Sequence, residues 1–317
     1  MLLINGGPLH LALVLERVEM QLAVQYSRAA ADLLDAGRID IDRFKCPAWQ
    51  DLIATVREAY PVYVHFPLKV GLGIGDAIDA ETNQTANWRR VEALLSRTDT
   101  PFVNVHLAPT ARDHPDIPVD TAAVAHVERL TACLIRDVRA VVQRFGPERV
   151  IVENDHDDGG QHLRPAFLPE VIRQVVEETG CDLLLDVSHA RLAAHALGMD
   201  ARAYLHALPL GRVREIHLTG IQPFGDRWID ALRRANIDED VIRRFAGRLM
   251  DHLPLTETDW EFTAWALEQI RRGVWGQPWI VALEYGGVGP LWEAVTDAEV
   301  LVDQVPRLRD LIKTPRV

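Results

Sequence analysis

Eight short apolar runs, each followed by turn residues and a helical pattern, constrain the fold of this 317-residue chain more than any other feature. Strand-like runs that alternate with helices are typical of a parallel sheet, and eight such units predict closure into a (β/α)8 or TIM barrel. No linker, charge block or internal repeat divides the chain. The predicted strands cover residues 21–26, 39–44, 62–66, 102–106, 150–153, 183–187, 215–218 and 280–284, and the predicted helices cover residues 27–35, 48–59, 85–96, 121–145, 168–179, 201–207, 239–249, 258–272 and 297–312.

The first 19 residues precede the first predicted strand. They are apolar but carry Glu16, Arg17 and Glu19, and they lack the basic start and small-residue cleavage site of a secretory signal. We therefore expect an N-terminal extension over residues 1–19, followed by a single α/β domain, a TIM-barrel catalytic domain, over residues 20–317.

Composition narrows the class of protein. With 48% hydrophobic and 25% charged residues the chain is typical of a globular protein rather than a disordered one. Its formal net charge of -12 disfavours nucleic acid or an anionic membrane as the main partner, and no run approaches the roughly 18 apolar residues of a membrane span. The three cysteines, too few for a disulfide framework, favour a reducing compartment, and we expect a cytoplasmic protein. They are Cys46, Cys133 and Cys181.

Metal-capable residues end six of the predicted strands. The carboxyl ends of barrel strands meet at one mouth, where barrel enzymes do their chemistry, so these side chains should converge. Converging carboxylates repel one another unless a cation joins them. A donor set of histidine and carboxylate without cysteine suits iron, manganese or zinc. The candidate ligands are His65, His106, Glu153, Asp186, His189, His217 and Glu284, together with the adjacent Asp251 and His252.

The number of candidate ligands indicates more than one ion. One group, Glu153, Asp186, His217 and Glu284, could hold a single metal, and the remaining residues suffice for a second or a third. Glu153 or Glu284 is suitably placed to bridge two ions. We therefore assign Glu153, Asp186 and Glu284 as catalytic candidates as well as ligands.

Residues outside this set receive weaker assignments. Lys45 and Lys69 lie just past the second and third predicted strands, where a lysine could hold a substrate anion or lie solvated at the rim. Lys69 is a further catalytic candidate. Asn154 and Asp155 could orient a ligand. Four histidines of loops and helix faces are interpreted as structural or solvated: His114, His156, His162 and His195.

Local sequence resembles one family in particular. The stretch GCDLLLDVSHARLAAHALGMDARAYLHALPLGRVREIHLTG, residues 180–220, is similar to the multinuclear non-heme iron-dependent oxidative enzymes that modify peptides, including the methanobactin-biosynthesis oxygenase type. PVYVHFPLKVGLGIG, TPFVNVHL, DHLPLTETDW and VALEYGG resemble the same family. The family belongs to the xylose isomerase-like and endonuclease IV superfamily of TIM barrels. The resemblance implies two or three iron ions held by His65, His106, Glu153, Asp186, His189, His217, His252 and Glu284.

Three departures from the family pattern stand out. Asp251 directly precedes His252 where the family usually has Asp-x-His, so the resemblance leaves Asp251 open as a ligand. The acidic motif of the second strand is replaced by DRFKCP, with Lys45 and Cys46. Ile221 follows Gly220 where a histidine is common. The chain therefore resembles a divergent member.

The resemblance implies an oxidoreductase that uses dioxygen to modify cysteine in a peptide substrate, which a partner protein could present. Three alternatives remain open from the residues alone. They are an endonuclease IV-like zinc phosphodiesterase, a single-metal sugar isomerase or epimerase with Glu153 and Glu284 as acid and base, and a non-catalytic barrel that binds a peptide. Metal content separates them, because we expect two or three irons for the oxidative enzyme, three zincs for the nuclease and one divalent ion for the isomerase.

Overall fold

The computed structural model of the protein describes residues 20–157 and 159–313. The expected extension over residues 1–19 lies outside the described residues, so the division at residue 20 stays a prediction. The strands of the described residues are β1 Gln21–Gln25, β2 Arg43–Pro47, β3 Val62–His65, β4 Leu68–Lys69, β5 Ile78–Asp79, β6 Gln84–Thr85, β7 Val103–His106, β8 Val150–Glu153, β9 Asp182–Asp186, β10 Val213–Leu218, β11 Gly220–Pro223, β12 Leu249–Leu253 and β13 Ile280–Leu283.

Helices follow most of the long strands. Their bounds are α1 Arg28–Asp35, α2 Gln50–Val56, α3 Trp88–Thr98, α4 Val124–Phe145, α5 Pro169–Thr179, α6 Val187–Leu197, α7 Ala201–Ala207, α8 Asp226–Arg234, α9 Glu239–Phe245, α10 Glu257–Arg271, α11 Pro290–Val295 and α12 Ala298–Lys313. Of these, α6, α8 and α11 were not predicted. None of the helices in the described residues is both long enough and apolar enough to cross a membrane.

The main sheet curls into a ring. Its barrel strands lie in the order β3-β2-β1-β13-β10-β9-β8-β7-β4, and the long strands are parallel to their neighbours. The short strands β5 and β6 extend the sheet beyond β4 in antiparallel pairing. The two ends of this order, β3 and β4, are parts of one extended segment interrupted by Phe66 and Pro67. Since β3 pairs with β2 and β4 pairs with β7, this segment closes the ring. The predicted α/β fold, a TIM barrel, is confirmed.

Side chains complete the closure between β3 and β7, where no main-chain ladder joins the two strands within the described residues. The side chain of Asn104 accepts a hydrogen bond from the main-chain N–H of Phe66 at 2.8 Å and donates to its carbonyl at 3.0 Å. Thr100 accepts from the main-chain N–H of Val64 at 3.0 Å. These bonds replace the missing ladder, and they bring His65 beside His106.

The second strand begins later than predicted. The main-chain N–H of Leu22 donates to the side chain of Asp42, and pairing with β1 begins at Arg43. The strand therefore ends at Pro47 and not at Phe44. The prediction that Lys45 follows this strand is wrong, because Lys45 lies within β2.

The lower part of the barrel interior contains an apolar cluster. Ala23, Tyr63, Ile280 and Ala282 form a buried cluster against the partly buried Trp279. The rings of Tyr63 and Trp279 pack edge to face with their centroids 5.3 Å apart. Because side chains of a strand alternate between its two faces, residues two positions further along the same strands face the upper part of the interior.

An excursion after β10 adds a small layer beside the mouth. The strands β11 and β12 pair antiparallel, and α8 and α9 lie between them in sequence. A separate apolar cluster that includes Phe224, Trp228 and Leu232 holds this layer together. It carries Asp251 and His252, both on β12, to the barrel.

Candidate metal centre

Strand register brings the predicted ligands together. His106 pairs with Glu153 across β7 and β8, and Asp186 pairs with His217 across β9 and β10. The carboxylate of Glu153 lies at the centre of the cluster. Its Oε2 is 3.4 Å from His65 Nε2 and 3.4 Å from His106 Nδ1, and its Oε1 is 3.6 Å from His217 Nδ1.

A second group of donors lies around Asp186 and Asp251. The side chain of Asp186 caps α6 and accepts hydrogen bonds from the main-chain N–H groups of Ser188 and His189. This turn holds His189 Nε2 at 3.0 Å from Asp251 Oδ2 and 3.7 Å from Asp186 Oδ2. Asp251, which the resemblance left open, therefore lies within the cluster.

His156 joins this group, although the sequence analysis interpreted it as structural or solvated. Its Nε2 is 3.8 Å from Asp251 Oδ2, and its ring lies against that of His189 with centroids 4.8 Å apart. His156, His189 and Asp251 form one of the groups whose donor atoms are close enough to hold an ion. The only signal in the sequence was a histidine in the loop that directly follows β8.

The third group surrounds Glu284 and includes Lys45, which the sequence predicted at the mouth but not in contact with a candidate ligand. Glu284, just after β13, has its Oε1 at 3.1 Å from His217 Nδ1. The same oxygen contacts the ammonium of Lys45, whose side chain is 7% exposed. Burial lowers the pKa of Lys45 to about 8, although Glu153, Glu215 and Asp186 oppose that shift.

Three histidines are oriented by a hydrogen bond at one ring nitrogen. His217 Nε2 lies 2.9 Å from Glu215 Oε1, a buried carboxylate that sequence reasoning missed. His189 Nδ1 lies 3.1 Å from the carbonyl of Asn154, and His252 Nδ1 lies 3.1 Å from the carbonyl of Glu284. In each ring the other nitrogen remains for a cation, which is the usual arrangement of metal-binding histidines.

Burial favours the neutral form of His217 that a metal requires. Desolvation and the nearby Lys45 ammonium lower its pKa to about 3. Burial also raises the pKa of Glu215 to about 7, against the hydrogen bond that it accepts from Trp279. A neutral His217 donates from Nε2 to Glu215 and keeps its Nδ1 lone pair directed at Glu153 and Glu284. For Glu153 itself, the neighbouring His106 and His217 outweigh burial and lower the pKa.

Several polar atoms of the cluster are buried without a hydrogen-bond partner among the described residues. They include Glu153 Oε2, Asp186 Oδ2 and His217 Nδ1. His217 Nδ1 is near Glu284 Oε1 but is not aligned with it for a hydrogen bond. Leaving such a group unsatisfied costs about 1–3 kcal/mol each. A cation among them would remove that cost, so the donor set fits a metal.

A cavity of about 400 Å³ opens above the cluster. One wall is apolar and contains Trp49 and Trp292, and Trp49 donates a hydrogen bond to Glu81 at 2.8 Å. Burial raises the pKa of Cys46 to about 12, so its thiol stays protonated. The lining residues are Gln25, Lys45, Cys46, Pro47, Trp49, His65, Pro67, Glu81, His106, Glu153, His189, His252, Glu284, Val288 and Trp292.

Lys69 lies apart from the cavity lining. Its ammonium pairs with Asp113 Oδ2 at 2.7 Å, and the same carboxylate oxygen accepts from the main-chain N–H and the hydroxyl of Thr110. The structure therefore brings together His65, His106, Glu153, Asp186, His189, His217, Asp251, His252 and Glu284, and it places Lys69 in a separate ion pair. A substrate-binding role for Lys69 stays a prediction.

The fold and the cluster define a TIM-barrel protein whose mouth carries groups able to hold metal. Residues 44–267 match the family described as RiPP precursor modification enzyme MbnB/TglH/ChrH. The match covers more than half of the chain, and the chain belongs to this family. The family resemblance inferred from the sequence is confirmed.

The curated relatives are distant in sequence. A UPF0276 protein of Paraburkholderia phytofirmans is 31% identical over 174 residues, 53% of this chain and 52% of the relative. A UPF0276 protein of Bordetella pertussis is 32% identical over 182 residues, 53% of this chain and 55% of the relative. The chain thus spans about half the length of these curated relatives.

Two solved structures cover nearly the whole chain. D-psicose 3-epimerase of Clostridium cellulolyticum is 12% identical, with a TM-score of 0.47 and coverage of 93% of this chain and 98% of that one. Endonuclease IV of Thermus thermophilus is 15% identical, with a TM-score of 0.43 and coverage of 92% of this chain and 99% of that one.

Proposed function

We propose that this protein is a multinuclear non-heme iron enzyme that uses dioxygen to oxidise a cysteine residue in a peptide substrate. The family supports a peptide substrate. The main support for a bound metal is the set of donor atoms of Glu153, Asp186 and His217 that are buried and have no hydrogen-bond partner among the described residues. Zinc and manganese suit the same donors, so iron is part of the proposal.

The ions would be held by residues from two sides of the barrel mouth. Glu153, central in the cluster, would share an ion with His65, His106 and His217. His189 and Asp251 would hold another together with Asp186, and His156 is close enough to join them. His252 and Glu284 are the remaining candidates, and Glu284 is also in contact with Lys45. Bound iron would supply a Lewis acid for the substrate thiolate and electrons for dioxygen.

The chain's own residues would position the reacting thiol and exclude water. The cavity has room for part of a peptide, and Trp49, Val288 and Trp292 would contact its apolar groups. Glu215 keeps the His217 ring in one orientation by accepting from Nε2. The protonated thiol of Cys46 would not compete with a substrate thiolate, because the thiolate is the form that binds metal.

The test is mass spectrometry of a candidate peptide. Protein reconstituted with ferrous iron would be incubated in air with a cysteine-containing precursor peptide encoded beside its gene. We expect a mass change that fragmentation assigns to a cysteine. A peptide with that cysteine changed to serine, and the Glu153→Gln enzyme, should give no change. An unmodified peptide in the presence of a protein shown to be loaded with iron would contradict the proposal.

A further inference from the structure

Lys45 places a positive charge inside the candidate metal centre. It is the only Lys or Arg among the described residues that line the cavity. Its Nζ contacts Glu284 Oε1, and both side chains are almost fully buried, with 7% and 3% exposed. Lys45 lies on β2, a strand of the barrel wall. Its ammonium is therefore part of the cluster and does not lie at the rim of the mouth.

The contact involves one of the groups that could otherwise hold an ion. Asp186, His217 and Glu284 have donor atoms close enough to share a metal, and all three are buried. Glu284 Oε1 is also the oxygen that lies 3.1 Å from His217 Nδ1. An ion at this position would share the Glu284 carboxylate with the ammonium that already contacts it.

A divalent ion and an ammonium therefore compete for the same corner of the cluster. Two cations this close repel one another strongly in a buried site, where solvent screening is weak. The ammonium is tethered to the chain and does not exchange, whereas a metal must arrive from solution. Among the described residues that line the cavity, Lys45 is the one Lys or Arg side chain, and its direct contact is with Glu284 and not with Glu153, His189 or Asp251. The ammonium also interacts electrostatically with Glu153, but it does not occupy that carboxylate.

We propose that Lys45 acts as a fixed cation in the corner formed by Asp186, His217 and Glu284 (the lysine corner) and restricts the protein to two metal ions. Resting on the proposed function, this inference adds the number of ions and the residue that sets it. One ion lies at Glu153 with His65, and the other at His189 with Asp251. Removing the charge of Lys45 opens the lysine corner to a third ion.

The test counts metal in three proteins: wild type, Lys45→Met and Lys69→Met. The two variants make the same chemical change, but Lys69 pairs with Asp113 outside the cavity. After iron loading and desalting, elemental analysis is expected to give two ions per chain for the wild type and for Lys69→Met, and three for Lys45→Met. Circular dichroism checks folding, and Lys45→Gln replaces Lys45→Met if that variant fails to fold.

A second measurement needs no variant. Anomalous diffraction from metal-loaded wild-type crystals is expected to show peaks near Glu153 and Asp251, and none within bonding distance of Glu284. An equal metal count in wild type and a folded Lys45 variant, or a wild-type peak at Glu284, overturns the inference. Two zincs in the wild type and three in Lys45→Met would refute the iron proposal while supporting the role of Lys45. Three irons in the wild type would support the iron proposal and refute the role of Lys45.

Discussion

The barrel interior has two layers, built on the same strands two residues apart, and they differ in what holds them together. In the lower layer Tyr63 packs against Trp279, with Ala23 and Ala282 beside them. In the upper layer, Glu153 and His217 are just as buried but keep polar atoms without partners. Apolar contacts dominate the lower layer, although the buried hydroxyl of Tyr63 also lacks a hydrogen-bond partner among the described residues. The upper layer gathers several such atoms from Glu153, Asp186 and His217, and a cation would satisfy them together.

The largest effect is expected from removing Tyr63, the fully buried aromatic ring of the lower layer. Tyr63→Ala is expected to lower the free energy of unfolding by about 3–5 kcal/mol, because a buried aromatic side chain leaves a cavity that the barrel cannot fill. Urea denaturation of chelator-treated protein measures this loss. The metal content of the folded fraction should not change. The exposed Val124→Ala is the control, with an expected effect within about 0.5 kcal/mol.

Changing the central residue of the upper layer should lower the affinity for metal and leave the stability of the fold almost unchanged. Glu153→Gln keeps the shape but removes the central charge, and we expect metal affinity to fall at least about 100-fold, or about 2.7 kcal/mol. The metal-free variant should lose no more than about 1 kcal/mol of stability, because a buried and incompletely paired carboxylate is neutralised. Metal titration and urea denaturation separate the two effects, and exposed Glu148→Gln is the matched control. Destabilisation as large as that of Tyr63→Ala would contradict the comparison.

The smallest effect is expected at the other buried lysine pair, which belongs to neither layer. Asp113→Asn should cost about 1 kcal/mol of stability at pH 7 through loss of the Lys69 pair, with no change in metal content. Burial alone would raise the pKa of Asp113, but hydrogen bonds from Lys69 and Thr110 hold it below the ordinary value. Its contribution is therefore complete above the unfolded carboxyl pKa of about 4 and lost as pH falls through the lower folded-state pKa.

Urea denaturation of both proteins from pH 7 to pH 3 checks this sign. The difference in stability between wild type and Asp113→Asn should shrink as the pH falls. A difference that stays constant, or grows, toward acid pH would show that the Lys69–Asp113 pair does not act through its charge.

The sequence predicted which residues end the strands, but it did not predict which other side chains each of them contacts. The polar residue after each apolar run predicted which side chains meet at the mouth, because parallel strands share one end. Lys45 was misplaced because the start of β2 depends on Asp42 binding the main chain of Leu22, a contact between distant residues. His156 and Glu215 were missed for a similar reason. One lies in an irregular loop, and the other lies two residues before His217, where a lower-layer position is usually apolar.

The two-part strand β3–β4 gives this ring a seam. Elsewhere the barrel is joined by main-chain hydrogen bonds, which most substitutions leave in place. At the seam the joint between β3 and β7 is formed by the side chains of Thr100 and Asn104. Side chains can be replaced one mutation at a time, so evolution can tighten or loosen this joint without altering the rest of the barrel. Since the seam lies beside His65 and His106, a substitution there would also shift two candidate metal ligands.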